Sequence, residues 1–262
     1  MSEPKILLWD TEISHIISQH YDLWKINVPH SNILHDWFMI CGQWKWLDKK
    51  RIETVSLLDD MPRFLNNSWD VRDLHIDDYV VVKTLHGVLS EADILVHHNG
   101  DKFDVKKFNA RALYHGLKPI PNIPTVDTLK EARKVSAISS NSLAYLGEYF
   151  GFPAQKRKLK PGTMQKAGLG DVKAIKDVVT YGRGDIPPLE ALYYKLRPFM
   201  KSHPNLNTFI EGGMLCNCGS GNLQARGYRR TKAGKYQRYQ CQDCGSWSSG
   251  RKNLIRTPVE IR

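Results

Sequence analysis

A mixed β-sheet flanked by helices, followed by a small metal-bound β-ribbon, is the fold class this sequence predicts. Three observations carry it. Short apolar runs in the first sixty residues read as strands, and the close spacing of the later ones suggests an antiparallel meander. From about residue 79, apolar residues at helical spacing alternate with short, fully apolar runs. Four of the five cysteines, Cys216, Cys218, Cys241 and Cys244, stand as two close pairs in the last fifth of the chain. Strands first and then alternating helix and strand suit an α/β sheet. Paired cysteines in a chain expected in the cytoplasm favour metal over disulfide.

The 262 residues suffice for one sizeable α/β domain and a small appendix. Hydrophobic residues make up 41% and charged residues 25%, the balance of an ordinary globular protein. No apolar run reaches the 18 residues of a membrane-spanning helix. The opening MSEPKILLWD has an apolar stretch too short for a secretory signal, so a cytoplasmic location is expected.

Taken in order, Lys5–Trp9 predicts a buried strand that ends in polar residues. Residues 13–32 show no period and predict an irregular excursion. Trp37–Leu47, rich in aromatics, and Glu53–Leu58 predict two more strands in an antiparallel meander. Tyr79–Leu89 has helical spacing, Ile94–Val96 a short strand, Lys102–His115 a helix and Val126–Thr128 a strand end. Leu129–Val135 and Leu143–Phe150 predict helices, the second capped by the preceding Ser and stopped by Gly151 and Pro153. Residues 154–170 carry a basic run, then Pro and Gly, and predict a mobile loop. Asp171 suits the cap of a helix through Tyr181, and Pro187-Pro188 interrupt it before helix resumes over Leu189–Met200. The domain organisation expected is 1–200 for the α/β domain, 201–214 for a linker, 215–250 for the ribbon and 251–262 for a basic tail.

The net charge of +11 is uneven. Residues 216–262 hold ten Lys/Arg against two acids, a balance of +8, which leaves +3 for the rest. A basic tail on a nearly balanced body points to a polyanionic partner, most simply nucleic acid. Within the ribbon, Cys216-x-Cys218-Gly and Cys241-x-x-Cys244-Gly are separated by 22 residues. Two close thiolate pairs, each followed by Gly for a tight turn, suit one structural tetrahedral Zn²⁺ with no open position for catalysis. The first pair departs from Cys-x-x-Cys, with Leu215 where the usual first Cys would stand. Between the knuckles, Arg229, Arg230, Lys235, Tyr236 and Arg238 interleave cations with rings, which suits phosphate contact plus base stacking. The ribbon resembles those of transposases and other nucleic-acid enzymes.

Three acidic pieces lie in the larger domain. Asp10 and Glu12, at i and i+2 of the first strand, share a face and repel unless a cation neutralises them; oxygen donors of that kind suit Mg²⁺ or Mn²⁺. His98-Asn99-Gly100-Asp101-Lys102-Phe103-Asp104 follows a strand and opens a helix, and either Asp104 or Asp101 could be its ligand. Tyr181 and Asp185, four apart, share a helix face, although Gly182 and Gly184 each cost about 1 kcal/mol in a helix interior. Cys41 predicts a buried thiol, and His97 and His98 structural roles. Trp37, Trp44 and Trp46 suit core or sheet surface better than base stacking.

In this order and spacing the three pieces resemble the DEDD superfamily of 3'-5' exonucleases, which have a ribonuclease H-like fold, over roughly residues 5–200. Asp10 and Glu12 match its first motif, Asp104 (after His-Asn and Phe) its second, and Tyr181 with Asp185 its third in the tyrosine subclass. Val126-Asp127-Thr128 and the Ser140–Leu143 stretch also look like the middle of such enzymes, with Asp127 a structural or secondary acid. The whole chain is similar to nucleases carried by bacteriophages, which would place it in a host cytoplasm. The resemblance implies that Asp10, Glu12, Asp104 and Asp185 hold two Mg²⁺ or Mn²⁺ ions, with Asp10 bridging both. Tyr181 would orient the attacking water; with an ordinary tyrosine pKa near 10, orienting suits it better than removing a proton. The implied substrate is nucleic acid, single-stranded DNA favoured and RNA possible, gripped in part by Lys156, Arg157 and Lys158. A replication or polymerase partner is a further implication, since no polymerase domain fits within the chain. The other reading is a non-catalytic nucleic-acid binder that uses the ribbon.

Overall fold

The computed structural model describes residues 4–21, 24, 26–60, 76–154, 158–210 and 213–255. Its first element is strand β1 (Ile6–Ile13), longer than the apolar run by the four residues that include the acids. A small two-stranded ribbon, β2 (Ile17–Ser18) with β3 (Ile33–His35), interrupts the expected irregular excursion. Strands β4 (Met39–Trp46) and β5 (Glu53–Ser56) follow, with a 3₁₀ turn replacing the last residues of the expected third strand. The chain then builds helix α1 (Tyr79–Ser90), strand β6 (Ile94–His97), helix α2 (Asp104–Tyr114), strand β7 (Thr125–Asp127) and helices α3 (Thr128–Val135) and α4 (Leu143–Phe150).

The stretch expected to be a mobile loop corrects in part. Residues 163–168 form a short helix, α5 (Thr163–Gly168), because Met164 and Ala167 turn an apolar side onto the core. Helix α6 (Val172–Arg183) starts as expected, the Asp171 carboxylate accepting from Ala174 N at 2.8 Å. It stops at Arg183, and α7 (Ile186–Leu196) begins with both prolines in its first turn, where their missing N–H groups cost nothing.

The main sheet has the order β5-β4-β1-β6-β7. β1 pairs antiparallel with β4 and parallel with β6, so it lies where the sheet changes character. Leu7 and Trp9 point to the face covered by α1 and α2; Ile6 and Leu8 point to the face where Leu189, Leu192 and Tyr193 of α7 pack with Leu143 and Leu146 of α4. Each fully buried leucine of these layers contributes on the order of 1.5–3 kcal/mol. Asp78, just before α1, accepts from Met39 N at 2.8 Å, from Arg111 at 2.6 and 2.8 Å and from His115 at 2.6 Å, pinning three elements through one buried carboxylate.

Residues 201–210 of the expected linker pack on the body: Leu206 is buried, and the His203 ring sits between Tyr193 Oη and Pro204 O, each at 2.8 Å. The Asn207 amide brackets Leu215, donating to its carbonyl at 2.9 Å and accepting from its N–H at 2.5 Å. The C-terminal sheet has the order β10-β9-β8, built from β8 (Leu223–Thr231), β9 (Gly234–Cys241) and β10 (Trp247–Ser249). No helix among the described residues is long and apolar enough to cross a membrane.

Candidate active site and four-cysteine ribbon

Alternation along β1 puts Asp10 and Glu12 on the face of Ile6 and Leu8, beyond the end of that apolar stripe. Asp185 reaches the same place from the two-residue junction between α6 and α7. Gly184 and Asp185 keep right-handed helical dihedrals there, so the turn continues although the helix has formally ended. One carboxylate oxygen from each of Asp10, Glu12 and Asp185 lies within 4.8 Å of the other two. Asp185 is 3% exposed. Three carboxylates this close, one of them buried, repel one another strongly, and an all-oxygen donor set of this charge fits a hard divalent cation. Tyr181 stands one turn before Asp185, half-buried in the last turn of α6.

Asp104 enters from the opposite face of the sheet. It is the first residue of α2, and its Oδ1 accepts from Thr11 N at 3.2 Å and Thr11 Oγ1 at 2.8 Å, between the two acids of β1. It is 4% exposed, and burial raises its pKa against the opposing pull of the Thr11 hydrogen bonds. Its oxygens are not part of the close triad. Asp101 faces elsewhere: it accepts from Thr125 Oγ1 at 2.8 Å and Lys130 Nζ at 2.7 Å, with His97 Nε2 3.2 Å away. His97 first, and then Lys130 and Thr125, hold it well below the usual carboxylate range. Asp127 caps α3, accepting from Leu129 N at 3.1 Å and Lys130 N at 3.3 Å, and also holds Asn99 N at 2.9 Å. These bonds fix the loop from β6 so that α2 begins with Asp104 against Thr11. His97 is fully buried, its Nδ1 accepting from Gly100 N at 3.1 Å.

Sequence reasoning missed Gln43. This residue of β4 pairs with Asp10, has no exposed surface, and donates from Nε2 to Asp10 Oδ2 at 2.6 Å. Its Oε1 accepts from the Cys41 thiol at 3.7 Å. Gly182 makes room for it: a Cβ at that position would lie 2.5 Å from Gln43 Nε2. The only sequence signal was an amide inside the aromatic run of Trp37–Leu47. Trp44 lies in the core and Trp46 packs against it, while Trp37 holds the Lys107 ammonium 3.8 Å from its ring centre.

In the ribbon, Cys216 Sγ lies 3.6 Å from Cys244 Sγ, and Cys218 Sγ 3.6 Å from Cys241 Sγ, with all four sulfurs within 4.8 Å of one another. A tetrahedral zinc with bonds near 2.3 Å places its sulfurs about 3.8 Å apart, so the thiols fit such an ion. Gly219 and Gly245, both at positive φ, follow the knuckles and turn their N–H groups back to the carbonyls of Cys216 (2.9 Å) and Cys241 (3.0 Å). Burial pushes the Cys241 thiol up, but backbone N–H groups of Cys244 and Asp243 together with the Cys218 and Cys244 thiols more than offset this and leave it at about 7. In the ribbon, Lys235 lies 4.0 Å over the Tyr228 ring and Arg238 4.3 Å over the ring of Trp247, which follows the second knuckle. Arg229 pairs with Tyr236, so the expected cations and rings are distributed over both faces of the ribbon. Trp247, half-exposed, was not singled out in the sequence. Lys158 is exposed; Lys156 and Arg157 lie outside the described residues.

The chain is 23% identical over 153 residues to DNA polymerase III PolC-type of Ureaplasma parvum serovar 3, a stretch covering 58% of this chain and 10% of that protein. Its fold matches part of the family B DNA polymerase from the archaeon Pyrobaculum calidifontis, with a TM-score of 0.54 and 19% identity over 76% of this chain and 25% of that one. Both of these relatives are DNA polymerases. The chain spans a tenth and a quarter of their lengths, so the likeness is to one part of each. No family model matches the chain.

Proposed function

We propose that this protein is a metal-dependent 3'-5' exonuclease of the DEDD type, tyrosine subclass, with a ribonuclease H-like body and a zinc ribbon that grips nucleic acid. The observation that carries the reading is the convergence of Asp10, Glu12 and Asp185 within 4.8 Å, with Asp104 bound to the residue between the first two. Part-chain likeness to two DNA polymerases supports the same reading. Asp10, Glu12, Asp185 and Asp104 would hold Mg²⁺ or Mn²⁺, two ions in all, which would neutralise phosphate charge, activate water and stabilise the departing 3'-oxygen.

The side chains do the rest. Tyr181 orients the attacking water through its hydroxyl, and the water adds to the phosphorus of the last linkage. The bond from phosphorus to the 3'-oxygen breaks, that oxygen takes up the proton the water gives up and becomes the new 3'-hydroxyl of the shortened strand, and a nucleoside 5'-monophosphate leaves. Lys156, Arg157 and Lys158 would neutralise backbone phosphates, and Arg229, Arg230, Lys235, Tyr236 and Arg238 would hold the strand. Single-stranded DNA is the favoured substrate, with RNA the other. Proofreading beside a separate polymerase is a second reading, favoured by the polymerase relatives.

The test is incubation of the zinc-loaded chain and Mg²⁺ or Mn²⁺ with single-stranded DNA and RNA labelled at the 5' end. A ladder shortening from the 3' end, reduced about 10³-fold or more by Asp10→Ala and by Asp185→Ala, is expected. Substrate that stays intact yet shifts in a gel would overturn the enzyme and leave a ribbon-based binder.

A further inference from the structure

We infer that Gln43 is a positioning residue for Asp10: its amide fixes the carboxylate that the proposed metal centre shares, and Gly182 provides the space for it. This rests on the metal-dependent reading of the acidic triad. Four observations carry it. Gln43 is fully buried, in a β-strand where such an amide has to satisfy both of its ends within the protein. Register places it directly opposite Asp10, so the 2.6 Å bond to Oδ2 is a cross-strand contact between paired residues. The thiol of Cys41, two residues earlier on the same strand face, donates to Oε1 at 3.7 Å. A thiol can donate there and a carboxylate cannot, so the two ends of the amide are told apart and Nε2 is the one turned to Asp10. Finally, Gly182 backs the amide from α6, one residue after Tyr181, with no space for even a methyl group.

The arrangement explains why helix α6 carries a glycine at a cost of about 1 kcal/mol in propensity. It also links the two proposed halves of the centre. Asp10 comes from the sheet and Asp185 from the α6–α7 junction, and the Gln43 amide is the group wedged between the strand and the last turn of α6. A donor to one carboxylate oxygen restricts rotation about Asp10 χ2 and so sets how the carboxylate faces the cation. Partners of this kind typically change metal affinity or activity by about 10- to 100-fold when removed.

The experiment measures Mn²⁺ binding by electron paramagnetic resonance on the full chain, with stoichiometric zinc supplied so that the four cysteines are occupied. Thermal melting and hydrolysis of 5'-labelled single-stranded DNA are followed alongside. Four proteins are compared: wild type, Gln43→Ala, Gly182→Ala and the double variant. Gln43→Ala is expected to weaken Mn²⁺ binding about 10-fold or more, and to raise the metal concentration needed for half-maximal hydrolysis by a similar factor. Gly182→Ala should do the same by displacing the amide. The decisive arm is the double variant, in which the methyl group added to the helix occupies space the amide vacates. Recovery of the melting temperature with Mn²⁺ binding still weak supports positioning. Recovery of both, or wild-type Mn²⁺ affinity in Gln43→Ala, overturns it and leaves Gln43 a packing residue. If the wild type hydrolyses DNA while these variants bind Mn²⁺ normally, the nuclease stands and the role of Gln43 falls. Absence of Mn²⁺ binding in the wild type overturns both.

Discussion

Single residues in this protein carry unequal chemistry even when they look alike in the sequence. Asp101 and Asp104 stand one helical turn apart, yet the first is tied to Thr125 and Lys130 and the second to Thr11 on β1. A buried histidine offers the clearest prediction at this scale. His203 donates from Nδ1 to Pro204 O and accepts at Nε2 from the Tyr193 hydroxyl, an arrangement that suits the neutral ring. Burial lowers its pKa to about 4. A histidine that is harder to protonate when folded contributes its full stability above the unfolded pKa of about 6.5, and that stability is lost as pH falls toward 4. The contribution is on the order of 3–4 kcal/mol, since each pKa unit is worth about 1.4 kcal/mol. Urea midpoints measured from pH 7 to 4 should therefore fall more steeply for the wild type than for His203→Gln; parallel slopes would remove His203 as the cause.

Among the elements, the ribbon depends most on something other than its own packing. A strand needs apolar residues on at least one covered face to build a core, and β8 is exposed from Gln224 to Thr231. Its order should come from the four-thiol centre, as in small zinc modules that unfold without metal. Chelation, or Cys218→Ser, is expected to collapse the amide resonances of residues 215–250 while those of the α/β body remain dispersed. Collapse of the body as well would mean that the contacts of Leu215 and Asn217 with it are structural for both. Much at this scale was legible beforehand. Strong periodicity marked α1, α2 and α4, Asp171 and Ser142 announced their helices, and the Asp-x-Glu spacing alone placed two acids on one strand face. What escaped depends on register and on close approach between distant elements. Gln43 became meaningful only through its pairing with Asp10, and Gly182, read as a blemish in α6, is a seat for that side chain. The helix α5 escaped because six residues between glycines show too little period to declare themselves.

For the molecule as a whole, the uneven charge sets the expected behaviour in salt. If the ribbon holds a single strand through its backbone, the logarithm of affinity falls with the logarithm of salt concentration, by about 0.7 for each neutralised phosphate. Replacing Arg229, Arg230, Lys235 and Arg238 with Gln should reduce that slope by up to about 3, measured by fluorescence anisotropy on a labelled oligonucleotide. An unchanged slope would move the binding site off the ribbon. The two polymerase relatives share this chain's fold or sequence over one part of much longer proteins, which is consistent with a body that keeps its own core. That core is continuous on both faces of β1, and the ribbon is docked to it by Leu215 and by Asn217, which donates to Met200 O at 3.3 Å.

The alternation along β1 has a consequence for how the gene can change. One strand supplies side chains to both hydrophobic layers and, on the same eight residues, the acids of the site. Inserting or deleting a single codon between Trp9 and Asp10 would either carry both acids to the wrong side of the sheet or, with the acids kept in place, turn Leu7 and Trp9 toward α7 and move Ile6 and Leu8 beneath α1. Point replacements of the apolar residues in this strand can be absorbed one at a time; a length change within it cannot. Across descendants of this sequence, the apolar positions from Ile6 to Trp9 should therefore vary in their letters, Asp10 and Glu12 should not, and the segment should keep its number of letters.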